Sequence, residues 1–344
     1  MSPGRTATVA LDAMGGDHAP EATVLGAVEA VREHGVKVLL VGQEPVLRNE
    51  LSRLGSDSRG IEIVHAPDVV EMSDHSTAAV RGKQLSSLAV ATRLVRDGAA
   101  CAMVTAGNTG AAMVSAKLTL GTIEGVDRPA LATLVPGIDH QTLLLDVGAN
   151  VDCKPRHLVE FAVMGQSYSE AVLGVTRPRV GLLSIGEEDG KGDRLTSEAF
   201  ALLSRLDLNF IGNVEGRDVF SGRADVIVCD GFVGNVVLKV SEGLGEMVFA
   251  LLKREARRSP LYSAGFLIAK GAFAGFKRQV DYAEYGGAPL LGVKGACLVG
   301  HGRSNPKAVR NALRFAHAYA TRGVIEHIAS RLGKLYPQHD HRGV

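Results

Sequence analysis

Short β-branched runs alternate with longer helical patterns through most of this chain, and that alternation limits the available folds more than any other feature. "TVALDA" precedes a helical pattern at Glu21 to His34, "VKVLLVG" precedes another at Glu44 to Leu54, and "IEIVHA" precedes a third at Ala78 to Asp97. Strand patterns followed by helical ones predict βαβ units stacked as a three-layer α/β/α sandwich. Further strands are predicted at "CAMVTA", "LATLVP", "TLLLDV", "RVGLLSI", "LNFIGNV", "DVIVCD" and "ACLVGH". Many end in Gly, Asp or Asn, as if one rim gathered the strand tips. In open parallel sheets that rim holds the ligand.

The chain has 344 residues, 46% of them hydrophobic, enough for a large core. By length the chain could hold one large domain or two smaller ones; with no low-complexity linker to mark a boundary, the expected organisation is a single α/β/α domain over 1–335, with an apolar helical tip at about 250–285 and a polar tail over 336–344. A formal net charge of +1 supplies no global field for nucleic acid. Cys101, Cys153, Cys229 and Cys297 are dispersed, as suits reduced buried thiols rather than disulfides or a zinc site. The opening residues turn directly into a strand pattern with no signal peptide, and no uncharged stretch reaches membrane-spanning length, so a cytoplasmic protein is expected.

Several strand tips carry chemistry. "VTAGNTGAAM" hands a strand to a helix through Gly107, Asn108, Thr109 and Gly110. Unpaired N–H groups at a helix start attract an anion, and glycines let it approach. "LDAMGGDHAPE" sets Asp12 and Asp17 around Gly15-Gly16, without the spacing of a dinucleotide fingerprint. "SIGEEDGKGDRLT" resembles a nucleotide P-loop until Lys191 meets Gly192 instead of Ser or Thr; what remains is either a lysine on a mobile lid or a solvated loop. "LLLDVGANVDCKP" and "VIVCDGFVGNVVLK" repeat one device, a strand ending in Asp146 or Asp230, then glycine, then Asn150 or Asn235. Such carboxylates bind metal, act as acid and base, or cap a helix. "AAVRGKQLSSLA" puts Arg81 and Lys83 two apart on a helix, so at least one faces solvent or an anion.

From Pro260 to Phe276 the chain is apolar almost all round, with Tyr262, Phe266, Ala269, Phe273 and Phe276 spaced as one helical face. Lys253, Arg254, Arg257 and Arg258 precede it. Core or dimer-interface helix is one reading; an interfacial element among lipid headgroups is the other.

In order along the chain, "DAMGGDHAPE", "KQLSSLA", "AGNTGA", "RPALATLVP", "LLLDVGANVDCKPRHLVEFAVMG", "GLLSIGEEDGKG", "DVIVCDGFVGNVVLK" and "YGGAPLLGVKG" followed by "GHG" closely resemble the PlsX family of bacterial phosphate acyltransferases. The resemblance implies a sandwich similar to isocitrate dehydrogenase, isopropylmalate dehydrogenase and phosphotransacetylase folds. It also implies conversion of acyl-acyl carrier protein and inorganic phosphate into acyl phosphate, for phospholipid synthesis, by a homodimer that touches the membrane peripherally. Thr105 and Ser184 stand where the family often has serine and asparagine.

Under that resemblance no cofactor or metal is expected, and since phosphate is its own nucleophile no activated Ser or Cys is needed. Gly107, Asn108, Thr109 and Gly110 are the expected phosphate cradle, with Arg81 behind them. Lys191 and Lys239 are the candidate cations, Asn235 and Asn150 the candidate oxyanion or phosphate contacts, and Asp12, Asp146 and Asp230 the orienting carboxylates. Tyr262, Phe266, Phe273 and Phe276 would form the acyl or membrane tip, and Lys253, Arg254, Arg257 and Arg258 a dock for acidic carrier protein or lipid. The rival functions are a phosphotransacetylase-like transfer from short acyl-coenzyme A and a non-catalytic acyl or lipid sensor. A metal-dependent dehydrogenase fits least.

Overall fold

The computed structural model describes residues 8–55, 59–137, 140–273, 275 and 282–335. Among these, eleven strands form one sheet: β1 (Thr8–Asp12), β2 (Lys37–Gly42), β3 (Ile61–His65), β4 (Ala102–Thr105), β5 (Ala130–Pro136), β6 (Gln141–Leu145), β7 (Val180–Leu183), β8 (Phe210–Val214), β9 (Val226–Val228), β10 (Ala288–Leu291) and β11 (Ala296–Val299). Their order is β3-β2-β1-β4-β11-β10-β5-β6-β9-β7-β8. The helices are α1 (Glu21–His34), α2 (Glu44–Arg53), α3 (Ser76–Gly82), α4 (Ser87–Arg96), α5 (Thr109–Leu120), α6 (Pro155–Tyr168), α7 (Arg194–Leu203), α8 (Gly231–Ala256), α9 (Pro260–Ile268), α10 (Tyr282–Tyr285), α11 (Pro306–Thr321) and α12 (Val324–Leu335).

The pleat explains the three layers. Successive side chains of a strand face opposite sides. Val9, Leu11, Leu143, Leu145, Val226 and Val228 therefore join a core with residues of α1, α6 and α11, whereas Ala10, Met103, Leu144 and Ile227 join a second core with α4 and α5. Both faces are covered, which is why these strands read as continuous apolar runs.

Strand direction corrects the expected single rim. β3, β2, β1, β4 and β11 run parallel, and so do β6, β9, β7 and β8. Between them, β10 is antiparallel to β11 and to β5, and β5 is antiparallel to β6. Three reversals turn the second parallel block against the first, so the tips of β1 and β4 and those of β6 and β9 do not form one continuous row. The missing signal was β10, "APLL", a strand of four residues containing a proline.

Two smaller corrections follow from capping. The helical pattern at Ala78 to Asp97 is two helices, because Ser86 leaves helical geometry to cap α4 by accepting the Ala89 N–H. Lys83 ends α3 rather than continuing a helix. The four cysteines form no disulfide among the described residues, with Cys153 half-buried and the others buried.

Candidate active site

The tips of the first block interlock through small residues. The Thr105 hydroxyl donates to Asp12 Oδ2 at 2.7 Å and accepts the Gly107 N–H at 3.0 Å, tying the end of β1 to the turn after β4. Asp12 is buried, and burial pushes its carboxyl above the usual range. A Cβ on Gly15 would stand 2.6 Å from Asp12 Oδ2 and 3.0 Å from the Gly107 nitrogen, so the first loop approaches the turn as only glycine can. Thr105 is a positioning residue that the sequence left without a role.

Asn108 caps α5, accepting the Ala111 N–H at 2.9 Å. Its Oδ1 also accepts the Ser76 hydroxyl, and its Nδ2 donates to the Met72 and Asp74 carbonyls. The side chain is thus fully committed to pinning the segment before α3, which removes the side-chain donor expected from it. Thr109 and Gly110, half-exposed in the first turn of α5, keep N–H groups that no described acceptor meets. Arg81 is exposed in the last turn of α3, and Lys83 is taken up by Asp74 at 2.6 Å and the Val69 carbonyl.

The second block presents a different set. Asp146 is fully buried at the end of β6 and accepts the backbone N–H groups of Leu131, Ala149 and Asn150. Burial pushes its carboxyl up, and those N–H groups oppose the shift. Asn150 is 4% exposed, and its Nδ2 donates to Asp146 Oδ2 and to the Pro129 carbonyl. A buried carboxamide with both hydrogens spent cannot reach an oxyanion, so the expected substrate contact by Asn150 is corrected to a structural one. Asp230 caps α8, accepting the Phe232 and Val233 N–H groups on Oδ1.

Asn235 differs. It lies one turn into α8, partly exposed, against Gly148, and its carboxamide has no hydrogen-bond partner among the described residues. Lys239 follows one turn on, exposed and in no described ion pair. Asn235, Lys239, Glu242 and Glu246 share one helical face by their spacing, and α8 is about 39 Å long at the standard rise. Its far part reaches the first block, where His301 Nε2 lies 3.9 Å from Glu242 and Arg303 lies 3.5 Å from Glu246. This helix, more than any shared rim, spans the two sets of tips.

The loop carrying Lys191 is tied to its surroundings at several points. Ser184 Oγ donates to the Lys191 carbonyl at 3.0 Å, Asn213 Nδ2 donates to the Glu188 carbonyl, and Glu187 pairs with Arg223 and Arg217. Ser184 thus acts on the backbone, and the Lys191 side chain projects, exposed and without a described partner.

Two thiols lie beside this chemistry, buried Cys229 against the Asp146 carbonyl and half-buried Cys153 against the Asn150 carbonyl; burial pushes both up, and only Cys153 is partly open to solvent. Burial and the charges of Asp146 and Asp230 push it up to about 12, so it stays protonated near neutrality. Cys153→Ala is expected to retain turnover within about twofold, because no thiolate is present to form an acyl-enzyme. Steady-state rates, and the absence of an acylated protein by mass spectrometry, check this.

The tip differs from the expected aromatic face. Phe266 and Phe273 stack with centroids 4.6 Å apart and are half-buried, so the aromatics partly cover one another. The exposed side chains are Leu261, Tyr262, Leu267 and Ile268. Phe276 lies outside the described residues. Of the basic cluster, Arg258 and Arg254 lie near Glu255, whereas Lys253 and Arg257 are exposed without a described ion pair. No helix among the described residues is long and apolar enough to cross a membrane.

A phosphotransacetylase from Staphylococcus aureus shares the architecture with a TM-score of 0.61 and 17% identity, over 92% of this chain and 95% of that one. A 4-hydroxythreonine-4-phosphate dehydrogenase from Klebsiella pneumoniae does so with a TM-score of 0.55 and 15% identity, over 91% and 99%. At these identities the likeness is one of fold. In sequence, a phosphate acyltransferase from Trichlorobacter lovleyi is 53% identical over 328 residues, 95% of each chain. Fold and relative together define an acyltransferase built on the phosphotransacetylase-like sandwich. A family model described as fatty acid synthesis protein matches residues 7–327, and the chain belongs to that family, the PlsX family whose motifs it carries.

Proposed function

We propose that this acyltransferase moves a long acyl group from the thioester of acyl carrier protein to inorganic phosphate. A phosphate oxygen attacks the thioester carbonyl, the C–S bond breaks, and the carrier leaves as a thiolate that takes a proton from solvent; the product is an acyl phosphate. The observation that carries this reading is the pair of unpaired N–H groups at Thr109 and Gly110 on a glycine-walled strand tip, an anion cradle by geometry. Phosphate brings its own nucleophile, which agrees with a site whose nearby thiols, Cys153 and Cys229, are both pushed up by burial. Lys191, with Lys239 and Arg81, supplies positive charge, and the free carboxamide of Asn235 is the donor to the developing oxyanion.

Lys191→Ala is expected to raise the phosphate KM by about tenfold or more, the loss of one charge-assisted contact. Incubation with palmitoyl-acyl carrier protein and labelled phosphate, with hydroxylamine trapping of the product, tests the reaction itself. Turnover with acetyl-coenzyme A alone would instead favour the short-chain reading. Carrier and membrane binding without phosphate consumption would favour a sensor.

The same reading includes a second copy and a lipid surface. Val233, Val236, Val240, Leu244, Met247 and Leu251 are exposed on α8 at spacings of three and four, a seam of the kind two helices share. Val240→Glu with Leu244→Glu is expected to halve the particle mass in solution by sedimentation. Exposed Leu261, Tyr262, Leu267 and Ile268 stand beyond Lys253 and Arg257, an arrangement suited to peripheral contact with anionic lipid. Charge reversal at Lys253 and Arg257, assayed separately against anionic vesicles and carrier protein, separates lipid from carrier docking.

A further inference from the structure

A cavity of about 590 Å³ opens beside the C-terminal end of α6, lined among others by Gln166, Glu170, Arg177, Asp207 and Arg331. It sits where α6 leaves regular geometry, as Ser169–Leu173 continue it in a π-helical turn that closes at Gly174. Such turns recur at functional sites.

Glu170 is already engaged on both oxygens. Its Oε2 receives Arg331 at 2.5 Å and His327 at 3.1 Å, and its Oε1 receives Gln166 Nε2 at 3.1 Å. What remains open is informative. Gln166 is 3% exposed, lines the cavity, and its Oε1 has no hydrogen-bond partner among the described residues. An acceptor buried so deeply without a partner costs free energy that a donor on a ligand would recover. Arg177 and Asp207 are exposed on the wall and form no described ion pair.

Two guanidinium groups suit a phosphoryl group, which they bind by paired N–H donation. The Gln166 carbonyl and the Asp207 carboxylate suit hydroxyl groups. The volume falls in the range of small-molecule pockets. From this juxtaposition we infer that the cavity is a binding site for a small polyol phosphate, distinct from the cradle at Thr109 and Gly110. Arg177 and Arg331 hold the phosphoryl group, and Gln166 and Asp207 hold the hydroxyls. The inference does not depend on the proposed acyl transfer, because none of these residues takes part in it.

Titration calorimetry on the intact protein tests this site. Ribose 5-phosphate, glycerol phosphate and inositol phosphate are the probes, each titrated into phosphate-free protein, with Arg177→Gly and Gln166→Leu separating this site from the cradle; ribose alone is the control. Binding of at least one phosphate, and none of ribose, is expected. Arg177 has φ 51°, the one positive value at a non-glycine among the described residues. Arg177→Gly therefore removes the guanidinium while suiting the backbone, and is expected to weaken binding tenfold or more without lowering the thermal midpoint or the basal transfer rate. Gln166→Leu removes the buried acceptor at similar volume and is expected to weaken binding likewise. Silence from all three probes overturns the inference, as does an affinity unchanged in both variants.

Discussion

Replacing Asn235 with alanine is expected to lower kcat for acyl transfer by about 10²–10³-fold, the effect of removing one oxyanion donor from a preorganised site. The argument is one of availability. Three carboxamides were candidates at the strand tips, and two are consumed: Asn108 by Met72, Asp74, Ser76 and Ala111, and Asn150 by Asp146 and Pro129. Asn235 alone among them is partly exposed with no described partner, held in place by the first turns of α8 against Gly148. A donor that makes no internal bond loses nothing on meeting a developing charge. The Asn235→Ala protein should keep its thermal midpoint, since no internal hydrogen bond is broken. Near-normal kcat in a folded Asn235→Ala protein would remove this residue from the mechanism.

Gly234→Ala is expected to cost the folded state about 1–3 kcal/mol or more, the range for overpacking a tight interior contact. A Cβ at Gly234 would lie 1.9 Å from the Asp146 carbonyl oxygen and 2.9 Å from Cys229 Sγ. Backbone cannot swing aside as a long side chain does, so α8 itself must shift. Because Asn235 is the next residue, the same shift should lower kcat, making Gly234 a positioning residue. Gly243→Ala in the same helix is the matched comparison: a Cβ there meets nothing within 4 Å, so it should stabilise by about 0.4–1 kcal/mol through the unfolded state. Denaturant titration of the pair checks both signs, and equal midpoints would contradict the close contact.

Much of this was legible before any coordinates. Short apolar, β-branched runs ending in Gly, Asp or Asn marked most of the strands, because a strand buried on both faces and a helix's cap are written in neighbouring residues. β10 escaped notice, being short and containing a proline. The site was half legible. The glycine turn at Gly107 and the aspartates at 12, 146 and 230 announced themselves by strand-tip position. Thr105, which links Asp12 to Gly107, and Ser76, which covers Asn108, carried no signal, since their partners are 93 and 32 residues away. The aromatic spacing near Tyr262 marked a helix, yet that helix exposes aliphatic residues and turns Phe266 toward Phe273.

By itself, then, the sequence determined the layered α/β architecture, the family and the residue types gathered at strand tips. All three rest on local periodicity or on motifs read in order. Only the tertiary structure decided which way the second parallel block points, that α8 reaches both sets of tips, and which of several similar asparagines stays free. Direction depends on pairing between strands distant in the chain. Availability depends on which long-range acceptors claim a donor first, and no local pattern encodes that competition.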